Sequence, residues 1–361
     1  MARRRLEAAL DAGREISKEQ DPFSKLTTLS HIPVQRELAG AYSLQFSLTG
    51  NQLAVGFGNG AVQVYCAACK NMTTKLPFSQ LYNPENGEMN LALKKGSSRR
   101  GLAVMSLCYH PLDNGIILEA GADGNIGCWQ LETSMCTHSL QEDQNEINAM
   151  DFNLDGTVFA TVGKDRHIRM YDSKTFELLQ TLEAPNPLIE DVQPTSGHSR
   201  RIYAIKFHPT DNYMFITAGW DNSLKIWDRR TKGGAKRVIG GPHVCGPALD
   251  IKDNKVLTGS WVAKGSLQLW HFQERSLLQT IPFPAGKGGE FLYCAQFCDH
   301  DVVLAGGSGT NSAQAIQTKN GNVLGSVDGG GKAVQTLDAI RGGRLLAVGG
   351  LGPQITVGKL E

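Results

Sequence analysis

The chain is 361 residues long, enough for two average domains or for one large closed all-β domain. Its 36 lysines and arginines are balanced by 35 acidic residues, so no global field draws it to nucleic acid or to a membrane surface. Only 20% of the residues are charged, and the 41 glycines have no period of three, which excludes collagen and reads as turn punctuation between strands.

At the N-terminus, MARRRLEAALDAGREISKEQ predicts a short helical extension, residues 1–24, ahead of a main body over 25–361. Leu6, Ala9, Leu10 and Ile16 form a thin apolar stripe, and Asp21-Pro22 is a stop signal. The arginines after Met1 look like the start of a transit peptide, but Glu7, Asp11, Glu15 and Glu19 argue against one. No stretch reaches the ~18 consecutive apolar residues of a membrane span, and no apolar signal core follows Met1. A cytosolic or nuclear protein is therefore expected. Eight cysteines lie mostly in apolar runs, as Cys108, Cys294 and Cys298 do, which suits free thiols in a reducing compartment. Cys66 and Cys69 form the only Cys-x-x-Cys, and no second ligand pair stands at zinc-site spacing.

From residue 42 onward one pattern recurs: an apolar strand, a turn, a second strand ending at glycine, and a third alternating strand. The copies are 42–67, 104–132, 147–174, 202–230, 244–272, 292–318 and 334–360. Four of the six steps between them are about 42 to 48 residues, and inserts lengthen the other two. Most copies are followed by a further short apolar run, such as CTHSL, ELLQTL or AKRVIG, which supplies a fourth strand. Four strands at a period of ~40–45 residues indicate a β-propeller blade. The last copy lacks its fourth strand, while KLTTLSHI (25–32) has no blade of its own. The expected fold is thus all-β, a seven-bladed propeller closed by an N-terminal strand that removes the open sheet edge.

The copy at 202–230 ends on Trp227-Asp228, and the chain resembles the WD-repeat family over roughly 25–360. That resemblance implies a buried structural network joining a His before the first strand, a hydroxyl on the second, an Asp in the following turn and a Trp on the third. The matching residues are His198, Thr217, Asp221 and Trp227. Asp123 and Trp129 repeat the Asp-to-Trp spacing. So do Asp165 and Tyr171, with Thr161 at the hydroxyl position but no His upstream. A His, an Asp and a hydroxyl in one blade also suggest a nucleophilic relay, but no Gly-x-Ser-x-Gly elbow exposes a nucleophile.

No cofactor is expected. The glycine runs fail as P-loops, because Ser326 and Ala333 flank Gly331-Lys332 wrongly and Ile281 stands upstream of Gly286-Lys287. Nine scattered histidines offer no metal-binding spacing. Two inserts, 77–101 and 183–201, fall between an outer strand and the next inner strand, and each ends basic. In the family such loops open on the face most often used by partners. Lys94, Lys95, Arg99, Arg100, Arg200 and Arg201 are accordingly candidate partner contacts, with Lys164 and Arg166 between the two inserts extending a positive strip; inert solvated loops are the alternative. Trp220 and Trp261, each just after the glycine that ends a second strand, either fill gaps between blades or serve as binding hot spots.

The expected function is a non-catalytic protein–protein interaction scaffold without a small-molecule substrate. The alternatives are a reader of peptides or histone tails, which the neutral charge disfavours, and a propeller enzyme, for which the strand turns are too poor in acid–base groups. Residues 240–316 resemble propellers of ciliated protists and algae, several of them axonemal, which implies a cytoplasmic protein of the cilium or flagellum with axonemal subunits or tubulin as partners.

Overall fold

The computed structural model describes residues 23–66, 101–183, 197–231, 233–286 and 288–361. The predicted N-terminal helix, Cys69, the fourth strand expected after residue 72, and Lys94, Lys95, Arg99 and Arg100 lie outside the described residues. What is described is seven antiparallel sheets, one per predicted repeat.

Blade 1 contains β2 (Ala41–Phe46), β3 (Gln52–Phe57) and β4 (Val62–Cys66). Blade 2 follows with β5 (Val104–His110), β6 (Asp113–Gly121), β7 (Asn125–Gln130) and β8 (Met135–Gln141). Blade 3 is β9 (Ile147–Phe152), β10 (Val158–Gly163), β11 (Ile168–Asp172) and β12 (Leu178–Leu182). Blade 4 is β13 (Ile202–Phe207), β14 (Met214–Gly219), β15 (Ser223–Asp228) and β16 (Arg237–Gly240). In blade 5 the strands are β17 (Leu249–Lys252), β18 (Lys255–Gly259), β19 (Leu267–His271) and β20 (Leu277–Ile281). Blade 6 has β21 (Leu292–Phe297), β22 (Val302–Gly307), β23 (Ser312–Gln317) and β24 (Val323–Asp328). Blade 7 takes β25 (Val334–Ile340), β26 (Leu345–Gly350) and β27 (Gln354–Leu360), and its outer strand is β1 (Leu26–Pro33).

That last pairing closes the ring. Leu26 stands opposite Leu360 and Pro33 opposite Gln354, and the Ser24 and Lys25 amides donate to the Glu361 carbonyl at 2.6 and 3.0 Å. The first and last described strands therefore share one sheet, and β1 covers the edge that β27 would otherwise expose.

Burial follows position in the blade. The second strand is covered on both faces by neighbouring blades, so β10 and β22 are buried throughout and read as continuous apolar runs. The outer strands β8 and β12 are largely exposed. The cores lie between blades: Ala54 and Val62 of blade 1 pack with Ile117 and Trp129 of blade 2, and Val158 and Met170 of blade 3 with Phe215 and Trp227 of blade 4. Each such side chain contributes about 1.5–3 kcal/mol by leaving water.

The inner strands line a channel, and one position on each ties blade to blade. Side-chain oxygens of Gln45, Asp151, Asp250, Gln296 and Asp338 each accept a backbone N–H of the following blade, from Tyr109, Phe207, Phe297, Ala339 and Phe46 respectively, at 2.5–2.9 Å. In blade 2 the equivalent Cys108 donates its thiol to the Met150 carbonyl at 3.0 Å. In blade 4 it is Lys206, held protonated chiefly by the charge of Asp151. Burial pushes Asp338 up to about 6 and raises Asp151 and Asp250 in the same direction.

Six of the seven inner strands begin with a β-bulge whose extra residue is Tyr42, Met105, Asn148, Tyr203, Tyr293 or Gln335. A bulge re-aims the side chain it carries. The glycine ending the second strand has a different cause: a Cβ at Gly163, Gly219, Gly307 or Gly350 would meet a backbone carbonyl at 2.0–2.2 Å. In blades 3, 4 and 6 the next residue's N–H donates to that same carbonyl at 3.0 Å. These glycines are fixed by close backbone approach.

Candidate protein-interaction site

The upper face carries the loops between blades and the turns between second and third strands. In blade 4 it is pinned by the residues the resemblance singled out. The Trp227 indole donates to the Thr217 hydroxyl at 2.7 Å, and Thr217 lies 2.7 Å from Nε2 of His198. Nδ1 of His198 is 2.8 Å from Oδ2 of Asp221, which also accepts the Ser199 amide, while Oδ1 accepts the Ser223 hydroxyl. One neutral imidazole tautomer satisfies the whole chain: indole to hydroxyl, hydroxyl to Nε2, Nδ1–H to carboxylate. Burial holds His198 below the ordinary imidazole range, against the pull of Asp221. Burial raises Asp221, but the bonds from His198, Ser223 and Ser199 outweigh it and hold that carboxyl low. Thr217 is fully buried, so its hydroxyl cannot act as a nucleophile on an outside substrate.

In blade 3 the missing His is replaced by a carboxylate. Glu142, in the loop before β9, accepts hydrogen bonds from Thr161, from the Tyr171 hydroxyl at 2.9 Å, from Asn145 at 2.6 Å and from Arg169 at 3.1 Å. Arg169 then reaches Asp165 at 2.5 Å. The sequence signal was present in QEDQNEIN followed by Arg169 two residues before Tyr171. A template that asks for His passes over it. Blade 2 departs further. Asp123 is held by Asn125, while Glu119 occupies the hydroxyl position on β6 opposite Gly127, and Trp129 shares no bond with Asp123 among the described residues. Blade 5 keeps half of the pattern, Trp270 donating to Thr258 at 2.9 Å.

The outward-facing candidates divide into two groups. Lys164 and Arg201 both reach Glu146, at 2.5 and 2.6 Å, so these two cations of the expected positive strip share one carboxylate where blades 3 and 4 meet. Arg200 is exposed, and Arg166 sits half-buried in a left-handed turn with φ of 71°. Trp220 and Trp261 form the second group, each bridging to the next blade while about 40% exposed. The Trp220 indole donates to the Cys245 sulfur at 2.8 Å and its ring packs against Tyr203 and His243. The Trp261 indole donates to the Tyr293 hydroxyl at 3.0 Å and packs against Phe291. The Trp261 amide donates to the His243 carbonyl, joining the two rings into one strip across blades 4 to 6. The sequence marked the two tryptophans but not Tyr203 and Tyr293, which reach the strip as bulge residues. Among the described residues no group of His, Cys, Asp and Glu could hold a metal, and no helix is long and apolar enough to cross a membrane.

The seven sheets form a seven-bladed propeller, and the blade 4 network resembles that of WD repeats. The family model "WD domain, G-beta repeat" matches residues 134–172 and 190–228, so these two segments match WD repeats. It is similar to the target of rapamycin complex subunit LST8 of Bos taurus, 27% identical over 175 residues, which is 48% of this chain and 49% of that protein. LST8 of Saccharomyces cerevisiae is 28% identical over 32% of this chain and 34% of its own length. Coronin-7 of Mus musculus is 29% identical over 55% of this chain and 20% of its own length. The chain thus spans about half the length, or less, of the curated relatives it matches.

Proposed function

We propose that the protein is a non-catalytic scaffold that holds protein partners in a multi-subunit assembly, with the aromatic strip of blades 4 to 6 as its main contact. The strip carries this reading: two large rings are part-exposed yet already fixed by indole hydrogen bonds and ring packing. Rigid, amphipathic aromatic side chains lose little freedom on binding and concentrate binding energy. Similarity to subunits of the target of rapamycin complex supports membership of such an assembly. A partner acting through Arg200, whose charge reaches His243 of the strip, would carry acidic and apolar groups together.

The narrower assignment to the axoneme, with tubulin's acidic tails as partner, draws only on the resemblance of residues 240–316. The pairing of Lys164 and Arg201 with Glu146 weakens its electrostatic basis. The test is affinity purification of tagged protein from its native cells, comparing wild type with Trp220→Ala/Trp261→Ala at matched melting temperature. Loss of the co-purifying subunits in the variant is expected, and unchanged recovery would remove the strip from the interface. Co-fractionation with axonemes in the same extract decides the narrower assignment.

A further inference from the structure

The lower face carries the turns that join first to second strands, and these differ sharply around the ring. In blades 1, 2 and 3 each turn presents a leucine to solvent: Leu48 at 51%, Leu112 at 55% and Leu154 at 36% exposure. Blade 4 continues the row with Tyr213, 39% exposed. Three leucines at matching turn positions on neighbouring blades, extended by Tyr213 at the end of the blade 4 turn, are more than scattered surface apolar residues.

Hydrogen bonds between the turns fix this row. The Leu48 amide donates to Asn114 at 2.9 Å, Nε2 of His110 lies 3.1 Å from the Gly156 carbonyl, and the Asp155 amide donates to Asn212 at 3.3 Å. The three leucines therefore stand on a single braced edge, with little ordering left to lose on binding.

The charge within these four turns has one sign. The four turns, 47–51, 111–115, 153–157 and 208–213, hold Asp113, Asp155 and Asp211 and no lysine or arginine. Each of these carboxylates accepts an amide of its own turn, from Gly115, Thr157 and Tyr213, so it is held in place beside the row. Just inside the channel stand Asp151, Asp250 and Asp338 against the single Lys206. Among the described residues of blades 1 to 4, the cations on this face are Lys174, beside the Leu154 turn, and Arg229 and Arg230, which pack on Tyr213 at the far end; the first-to-second-strand turns of blades 5 to 7 hold Lys252, Lys255 and Arg344 but no exposed large apolar residue.

From this juxtaposition we infer that the lower rim of blades 1 to 4 is a second docking surface, whose occupant is a basic peptide segment carrying leucine-like anchors. Apolar anchors cover Leu48, Leu112 and Leu154, and lysines or arginines of the segment lie against Asp113, Asp155 and Asp211. The surface opposes the aromatic strip across the thickness of the ring, so both can be occupied at once.

The experiment uses the full chain and two labelled synthetic peptides of the same leucine pattern, one with lysine and one with glutamate at the polar positions, followed by fluorescence anisotropy. The lysine peptide should bind wild type, and Leu48→Ser/Leu112→Ser/Leu154→Ser should raise its Kd about tenfold or more. The glutamate peptide should bind at least about tenfold more weakly, since like charges oppose it. Trp220→Ala/Trp261→Ala should leave the lysine peptide unaffected, which separates this surface from the scaffold reading above. Should the triple variant melt below wild type, Leu112→Lys alone, at the most exposed of the three positions, carries the same comparison. Equal affinity for both peptides, failure of the lysine peptide to bind, or unchanged binding by the leucine variants would overturn the inference. So would wild-type self-association, seen by sedimentation and lost in the triple variant, because the occupant would then be a second copy.

Discussion

Blade 4 fixes its upper end with hydrogen bonds through the neutral imidazole of His198 to the Asp221 carboxylate, whereas blade 3, next to it, uses an ion-paired cluster around Glu142. Both join the loop before the inner strand to a threonine at the same depth and to an aromatic ring on the third strand. What the fold demands at that loop position is a group that satisfies the buried threonine; its charge is free to vary. The consequences differ, because a bond between the neutral members Trp227, Thr217 and His198 contributes about 1 kcal/mol, while an ion-paired cluster broken at one member leaves a buried charge unpaired.

The widest separation between the two blades should come from Trp227→Ala. It removes a fully packed ring and a donor to Thr217, and should cost about 3–5 kcal/mol in denaturant unfolding. A loss below about 1 kcal/mol would show that blade 4 does not depend on its network. Next, Glu142→Ala should cost about 3 kcal/mol, since Arg169, Tyr171, Thr161 and Asn145 all lose their acceptor, whereas Glu142→Gln should cost about 1 kcal/mol. Equal losses would mean that shape, and not charge, matters in blade 3. Tyr171→Phe removes a single hydroxyl bond from the same cluster and should cost only about 1 kcal/mol.

The smallest effect is read against pH. Burial keeps His198 neutral in the folded chain, so the unfolded chain takes up a proton that the folded chain does not. Stability from this site is full above the ordinary imidazole value of about 6.5 and falls as pH drops below it. The stability gap between wild type and His198→Asn should therefore shrink from pH 8 to pH 5.5. The gap between wild type and Tyr171→Phe should stay level over the same window, because Tyr171 titrates far above it. Parallel pH dependence of the two gaps would erase the distinction between the blades.

Much of this fold was legible because a repeat states its own period. Strand count, the seven copies and the closing pairing of residues 26–33 with the C-terminal strand follow from an apolar run without a blade and a blade without its fourth strand. His198, Thr217, Asp221 and Trp227 were legible for the same reason, standing at fixed distances from a glycine and a turn. Tertiary structure decided the rest. Glu142 and Arg169 became a network only once a loop and a third strand met at Thr161, a contact that no local period encodes. Bulges turned Tyr203 and Tyr293 onto the upper strip, and one extra residue in a strand leaves no mark in an apolar pattern. Charge was hardest to foresee: Lys164 and Arg201 stand 37 positions apart in the chain but converge on Glu146, so two of the basic residues share one carboxylate in space.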